Sequence, residues 1–511
     1  MRRNSNGKYY AITVILTSAL ITGCSSNGNE TNGSSSSPKP SASASTATTK
    51  PLEAGSFRML TELSPGWPAK PDWPIWKWVK EKTNITVKQE TQTGPESLAL
   101  AIASGDMPDV FALYVGDAQK YGPQGAFLDL SKHLDKMPNV KTFLAAHPDV
   151  AQRMTSPGGE MYQLINDGAG AGNQMVWFYR NDILQKNSLQ EPKTWDELYD
   201  TAKKLKQVYP DSYPFVFRHG LGTLNTFGPA FGVYPGIYED QASGKIKYGA
   251  TDPNFKKMIE YLNKFHKEGL IPPDWLTMDY KAWTQFITTN KSFMTVQFIG
   301  QIETMNTQFK NGEHLKFMAP PIGAGGKPYL PRGNYETLGF SVSSKTKNLD
   351  AVLRYLDFTY SKEGTDVLSW GKEGESYTVD NGKRKITPTI KEANELRKET
   401  GIMTAGTYGQ FDYSAVTSMS NENEKYSYAE AAKYQFPVTN VLPALTSDEK
   451  SAIMTTEEQI NKYYETSIAK FILGETPLTQ WDTFTSEMNK LGLQKMLDAY
   501  QKAFDRVKVK K

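Results

Sequence analysis

Cysteine is all but absent: Cys24 stands alone in 511 residues, so an intramolecular disulfide and a Cys-rich metal site are both excluded. Histidine is nearly as scarce. His133, His147, His219, His266 and His314 are far apart and none belongs to a His-Glu-x-x-His pair, which argues against zinc hydrolysis. An excess of one charge is also lacking: 58 Lys and Arg face 55 Asp and Glu for a net charge of +3, with the signs interleaved, so no nucleic acid partner and no broad electrostatic adhesion to lipid are indicated. The folded part contains no Gly-x-Ser-x-Gly elbow, and the Gly-Lys pairs at Gly244, Gly326, Gly371 and Gly382 are never followed by Ser or Thr, which removes the hydrolase turn and the P-loop. Gly168-Ala169-Gly170-Ala171-Gly172 lacks the spacing of a dinucleotide loop. No cofactor is expected.

What is present begins at the first residues. Arg2, Arg3 and Lys8 precede an apolar stretch from Tyr9 to Ile21 and then Ile21-Thr22-Gly23-Cys24, the pattern of a secretory signal ending in a lipobox. The small residues before the cysteine suit a peptidase that accepts only a narrow chain, and the Cys24 thiol is positioned to carry a lipid. The apolar stretch is shorter than the ~20 residues a membrane-spanning helix needs, so residues 1–24 read as a lipoprotein signal. Residues 25–54, rich in Ser, Ala and Thr, have almost no large apolar side chains and cannot bury enough surface to fold; they read as a disordered tether. The expected place is the extracytoplasmic face of the cell membrane, held by lipid.

From Gly55 on, no composition break divides the chain, and it is long enough for two large lobes. Phe57–Leu60, Ile85–Val87 and the apolar run Val110–Val115 read as strands. Helices over Pro74–Lys82 and Glu96–Ala103 fall between them, an alternation that implies a parallel sheet with helices on its faces. A capping box at Thr194-Trp195-Asp196-Glu197 starts a helix whose Trp195, Leu198, Ala202, Leu205 and Val208 share one face until Pro210. Further helices are predicted over 254–267, 349–360, 457–473 and 478–507, and strands over 293–298, 317–319 and 338–342. The class is α/β.

Several segments together resemble the family 1 extracellular solute-binding proteins, the maltose- and oligosaccharide-binding type of lipoprotein that serves ABC importers. The residues that carry the resemblance are Ala103-Ser104-Gly105-Asp106-Met107-Pro108-Asp109-Val110, Tyr179-Arg180-Asn181-Asp182-Ile183-Leu184, Pro192-Lys193-Thr194-Trp195-Asp196-Glu197-Leu198, Ile472-Leu473-Gly474 and Trp481-Asp482. The resemblance implies a two-lobed periplasmic-binding-protein-like (type II) fold, monomeric, with a hinge and a ligand cleft between the lobes. It places residues 55–165 in the N-lobe, 172–318 in the C-lobe, 320–400 back in the N-lobe and 401–511 as a helical part mainly on the C-lobe. Crossings would fall near 162–172 and 320–331, both rich in Gly or Pro. The ligand implied is a carbohydrate, an oligosaccharide more than a monosaccharide, handed to the permease subunits of an ABC importer. Some relatives hold calcium in a loop of alternating Asp and Asn; the nearest stretch here, Tyr209-Pro210-Asp211-Ser212, lacks that pattern, so no metal is expected.

A sugar site needs aromatic faces for C–H surfaces and directed polar groups for hydroxyls. The resemblance puts Tyr114 and Asp117, after the third strand, at sugar-contacting positions, and sets Phe217, Arg218 and His219 against an aromatic cleft segment. Trp67 sits in the loop after the first strand and Gln297 at a strand end. Trp177, Trp275, Trp283, Trp370 and Tyr335 are candidate platforms, with burial the competing fate of each, and Arg332 is a candidate for an acidic sugar. A peptide-binding or sensory lipoprotein on the same fold remains open. So does a secreted glycoside hydrolase, whose two carboxylates carry no short motif.

Overall fold

The computed structural model describes residues 52–61, 69–91, 96–165, 175–240, 243–310, 312, 314–331, 338–391, 393–403, 407–435 and 442–508. Cys24, the tether, Trp67, Arg332 and Tyr335 lie outside them. None of the described helices is long and apolar enough to cross a membrane.

Among the described residues the strands, in chain order, are β1 (Gly55–Thr61), β2 (Ile85–Thr91), β3 (Val110–Tyr114), β4 (Leu164–Ile165), β5 (Met175–Arg180), β6 (Phe215–Val216), β7 (Ile237–Asp240), β8 (Lys245–Tyr248), β9 (Met294–Phe298), β10 (Leu315–Met318), β11 (Leu338–Val342), β12 (Tyr377–Asp380) and β13 (Lys383–Ile386). They form two main sheets. The first runs β2-β1-β3-β11-β4 and the second β10-β5-β9-β6, with β7-β8 and β12-β13 as separate hairpins. β1 pairs in parallel with β2 and β3, as the opening alternation predicts, whereas β11 pairs antiparallel with β3 and β4. The run Val110–Leu113 is buried on both faces, which a central strand covered by helices requires.

Each sheet has its own core. Phe57, Val110, Phe340, Tyr355 and Leu368 belong to one, and Trp177, Trp195, Phe215, Phe265 and Phe471 to the other. Removing this much apolar surface from water, at ~25 cal/mol per Å², is what holds each half together without disulfides. Ile402, Tyr408, Phe411, Ala415 and Val416 pack in the first core, so the chain beyond Gly401 stays with the first lobe until the helix Ser414–Thr417 has ended.

The predicted helices appear with shifted ends. The long C-terminal helix starts ten residues earlier than expected, at Ser447, behind a capping box in which Thr446 Oγ1 accepts from Glu449 N at 3.1 Å and Glu449 accepts from Thr446 N at 2.9 Å. The helix expected over 478–507 is two helices, Trp481–Lys490 and Leu493–Lys508, parted at Gly492 with φ +100°. At Thr194 only half of the predicted box forms: the threonine accepts from Glu197 N at 3.1 Å, but the glutamate carboxylate accepts from Lys193 N instead, at 2.6 Å. Val208, predicted on the buried face, is 55% exposed because it is the helix's final residue.

The residues that carry the resemblance turn out to be struts. Asp109 is 8% exposed; its carboxylate accepts from Arg58 N at 2.9 Å, from Asn348 Nδ2 at 3.2 Å and from the Thr346 hydroxyl, tying β1 to the start of β3 and to the loop after β11. Arg58 joins the same knot through Asp106 at 2.7 Å and through Glu90. Arg180, 1% exposed, forms a forked pair with Asp182 at 2.8 and 2.6 Å, and its guanidinium lies 4.7 Å from the Phe309 ring centre. Asp109→Ala strips three donors of their acceptor, and we expect it to destabilise the protein by about 2–4 kcal/mol, read as an earlier urea midpoint. A midpoint equal to that of the parent would show that the knot is not needed.

Candidate functional site

The registers decide which ends of the two sheets confront each other. In the first sheet Thr61 lies beside Ala112, Tyr114 beside Leu338 and Ile165 beside Gly339, so the ends of β1, β3 and β4 and the start of β11 share one edge. In the second, Met175 lies beside Phe298, Met318 beside Trp177 and Val216 beside Thr295, so the start of β5 and the ends of β6, β9 and β10 share another. The chain leaves the first edge at Ile165, enters the second at Met175, leaves it at Met318 and returns at Leu338. Both crossings therefore join the same two edges, and in open α/β sheets ligands bind beyond such strand ends.

On the first edge stands Tyr114, 50% exposed, the last residue of β3. Asp117 follows in the first turn of the helix Val115–Tyr121, and desolvation raises its carboxyl above the ordinary value against an opposing pull from Lys120. Deeper along this edge Gln89 donates to Thr61 Oγ1 at 2.9 Å and to Tyr408 Oη at 2.7 Å, while its own carbonyl accepts from Trp76 Nε1 at 3.0 Å. Beside Ile165 an open cavity of about 490 Å³ is walled by Tyr360, Asp366, Gln410 and Asp412, and Tyr360 Oη donates to the Ile165 carbonyl at 2.6 Å. The sequence reading missed these groups, because Tyr360 and Asp412 reach the edge only through the packing of distant helices.

On the second edge β6 runs into Phe217-Arg218-His219. Phe217 is fully buried against Trp275 at 5.6 Å and Phe227 at 5.3 Å, so it supports the edge from behind and offers no ring to a ligand. Arg218 is half-buried, its guanidinium 5.3 Å from the ring centre of Tyr280. His219 is exposed at φ +77°, a left-handed conformation that side chains other than glycine adopt only where the surroundings enforce it. Desolvation, and then the charge of Arg218, hold the His219 imidazole below its ordinary value, with Gln297 opposing them. Tyr280 opens the helix Tyr280–Thr288, capped by Asp279, which accepts from Ala282 N at 2.7 Å; its hydroxyl donates to Gln301 at 2.9 Å. The cap at Asp279 is visible in the sequence, yet the meeting of Tyr280 with Arg218 is not.

Gln297 ends up fully buried: its carbonyl accepts from Phe298 N at 3.1 Å and its amide nitrogen has no partner among the described residues. The tryptophan platforms are corrected. Trp177, Trp275 and Trp283 are fully buried in the second core and Trp370, 3% exposed, is buried in the first, where its Nε1 donates to Asp412 at 2.8 Å. All nine described tryptophans are buried, since each core is built around indoles and no strand end remains for them.

The expected bend near 162–172 is strand as far as Ile165, and its remainder lies outside the described residues. The stretch 320–331 is fastened at its start. Ile322 exchanges backbone hydrogen bonds with Lys193 at 2.8 Å and Trp195 at 3.1 Å, and at Gly326 a Cβ would stand 1.6 Å from the Ala230 carbonyl, so only glycine fits. A third passage runs from the helix Ser414–Thr417, in the first core, to Glu422–Ala431, whose Ala431 is in the second. There Glu303 accepts from Asn423 at 2.7 Å and from Asn421, and nearby Asn394 of the first lobe donates to Thr304 of the second at 3.4 Å.

The sequence model of the bacterial extracellular solute-binding proteins matches residues 68–366. The fructooligosaccharide ABC transporter substrate-binding protein FusA of Streptococcus pneumoniae is 25% identical over 513 aligned positions, 91% of this chain and 93% of that protein. Lipoprotein LipO of Bacillus subtilis is 24% identical over 55% of this chain and 59% of its own length. Among solved structures, the alginate-binding protein AlgQ2 superposes with a TM-score of 0.75 at 24% identity, covering 90% of this chain and 99% of that one.

The two fates of the aromatics can be separated by stability. Trp283→Ala should lower the unfolding free energy by about 3–5 kcal/mol, whereas Tyr280→Ala, at a 39% exposed site, should change it by less than ~1 kcal/mol. Equal losses in denaturant melts would put both side chains in the core.

Proposed function

Because this chain belongs to the bacterial extracellular solute-binding protein family, matched over residues 68–366, we propose that it captures an oligosaccharide between its lobes and presents it to an ABC importer. The observation that carries this reading is the pair of facing edges. Tyr114 and Asp117 stand on one, and Arg218, His219, Tyr280 and Gln301 on the other, so between them the edges offer aromatic rings, a carboxylate, an amide and a guanidinium. That mixture suits a ring with one C–H face and a rim of hydroxyls. Two relatives point the same way: FusA is a fructooligosaccharide substrate-binding protein and AlgQ2 an alginate-binding protein.

The mechanism follows from where the groups sit. A ligand that touches only one edge gains half of the contacts, so binding favours the state in which both edges close on it. Arg218 and Tyr280 orient the sugar from the second lobe; Tyr114 and Asp117 complete the contact from the first. No bond is made or broken, and the closed form is the signal an importer reads. The second crossing is held to the second core at Ile322, at Gly326 and again at Leu330, whose N–H donates to the Tyr434 carbonyl at 2.7 Å, so this core stays intact as the lobes rotate.

A panel of oligosaccharides tests this by melting and by solution scattering. At 100 times its dissociation constant a true ligand adds about 2.7 kcal/mol to stability, so the melting temperature rises, and the radius of gyration falls as the lobes close. A panel that shifts neither quantity overturns the reading, and release of cleaved sugar would replace it with an enzyme.

We also propose that the chain is lipid-anchored through Cys24 on the outer face of the membrane. The signal segment, the lipobox and the tether support this, as does the likeness to a lipoprotein. Cys24→Ala should move the protein from the membrane fraction into the medium; retention with the membrane would sink the anchor.

A further inference from the structure

Four of the described arginines have carboxylate partners. Arg58 pairs with Glu90 and Asp106, Arg180 with Asp182, Arg384 with Asp366 and Arg506 with Glu449. Arg354 and Arg397 share with Arg218 a buried Nε that lacks an acceptor among the described residues, but Arg218 stands at a strand end of the second edge. Its guanidinium has no hydrogen bond or ion pair among the described residues, its Nε is buried without an acceptor, and its one close companion is the face of Tyr280 at 5.3 Å. His219 follows on a backbone held in the left-handed region, and the charge of Arg218 helps to keep its imidazole neutral.

A half-buried cation with an unused fork is costly, because water has been removed from it and no anion among the described residues has replaced the water. Tyr280 recovers part of that cost, since a guanidinium over an aromatic face gains about 0.5–2 kcal/mol. The contact restrains the guanidinium, whose N–H groups have no acceptor among the described residues. A planar five-donor fork held in this way is complementary to a carboxylate, which it engages through two parallel hydrogen bonds; a lone hydroxyl satisfies only one. Resting on the reading that the cleft takes an oligosaccharide, we propose that the oligosaccharide is acidic, and that Arg218 receives the carboxylate of a uronic acid residue.

In this arrangement Tyr280 and Gln301 also position Arg218. Gln301 accepts from the Tyr280 hydroxyl at 2.9 Å and so holds the ring on which the guanidinium rests. The binding event is the replacement of an absent counter-ion, and its gain is largest where desolvation is most complete.

The test uses matched pairs: oligogalacturonides and alginate oligomers, each beside its carboxyl-reduced counterpart with the same linkages, titrated calorimetrically into the whole mature protein at 0.15 M salt so that surface attraction is screened. At least one acidic oligomer should bind about 10–100-fold more tightly than its reduced partner, the range of a charge-assisted hydrogen-bonded pair. In Arg218→Met that preference should shrink to within about 3-fold, and in Arg218→Lys, which keeps the charge and loses the fork, it should fall to an intermediate value. Should Arg218→Met fail to fold, Arg218→Lys and the parent comparison carry the test. Equal affinity for acidic and reduced sugars overturns the uronate proposal and leaves oligosaccharide capture standing. An acid preference that survives in a folded Arg218→Met variant also overturns it. Absence of binding to every acidic oligomer also overturns it, and the wider oligosaccharide panel decides capture separately.

Discussion

The insertion of β11 between β3 and β4 governs the architecture. A strand from late in the chain completes the first sheet, so the polypeptide must leave that sheet, build the second around its own core, and come back. The antiparallel register of β11, Leu338 against Tyr114 and Gly339 against Ile165, places the point of return on the edge from which the chain departed. Gly339 is needed there, because a Cβ would lie 2.3 Å from the Leu164 carbonyl and push β4 away. Two crossings between the same two edges make a cleft and a hinge from a single topological fact.

The residues that mark the family and the residues suited to recognition occupy opposite roles. Asp109, Arg180 and Asp182 are ion-paired or hydrogen-bonded within the chain, and with Arg58 they hold strands and loops in register. Arg218 Nε has no acceptor among the described residues, and His219, Tyr114 and Tyr280 are exposed. The contrast is physical: a buried charge that serves the fold must have its partner in the chain, and one that serves a ligand must lack it until the ligand arrives.

The aromatic richness that suggested stacking platforms has a different cause. Trp177 stacks on Phe215 at 5.4 Å and meets Trp195 edge-on at 5.8 Å, and with Phe227 and Phe265 these rings fill the second core. A short four-stranded sheet without disulfides gains much of its stability from such large side chains. The indole nitrogens of Trp177, Trp195 and Trp275 have no acceptor among the described residues, which shows how far packing outweighs hydrogen bonding there.

Sequence by itself determined the α/β class, the parallel pairing of β1 with β2 and β3, most of the helices, and Tyr114 with Asp117 at a strand end, because period, caps and turn residues act within a few positions of one another. It also pointed to Arg218 and His219 through the strand that precedes them. Tertiary structure alone decided that Trp177, Trp275, Trp283 and Trp370 are interior, that Tyr280 and Gln301 position Arg218, and that the second crossing is pinned at Ile322 and Gly326. Those outcomes depend on which surfaces of distant segments are pressed together, and an aromatic ring on a strand reads the same in sequence whether its face is later covered by another helix or left open to a cleft.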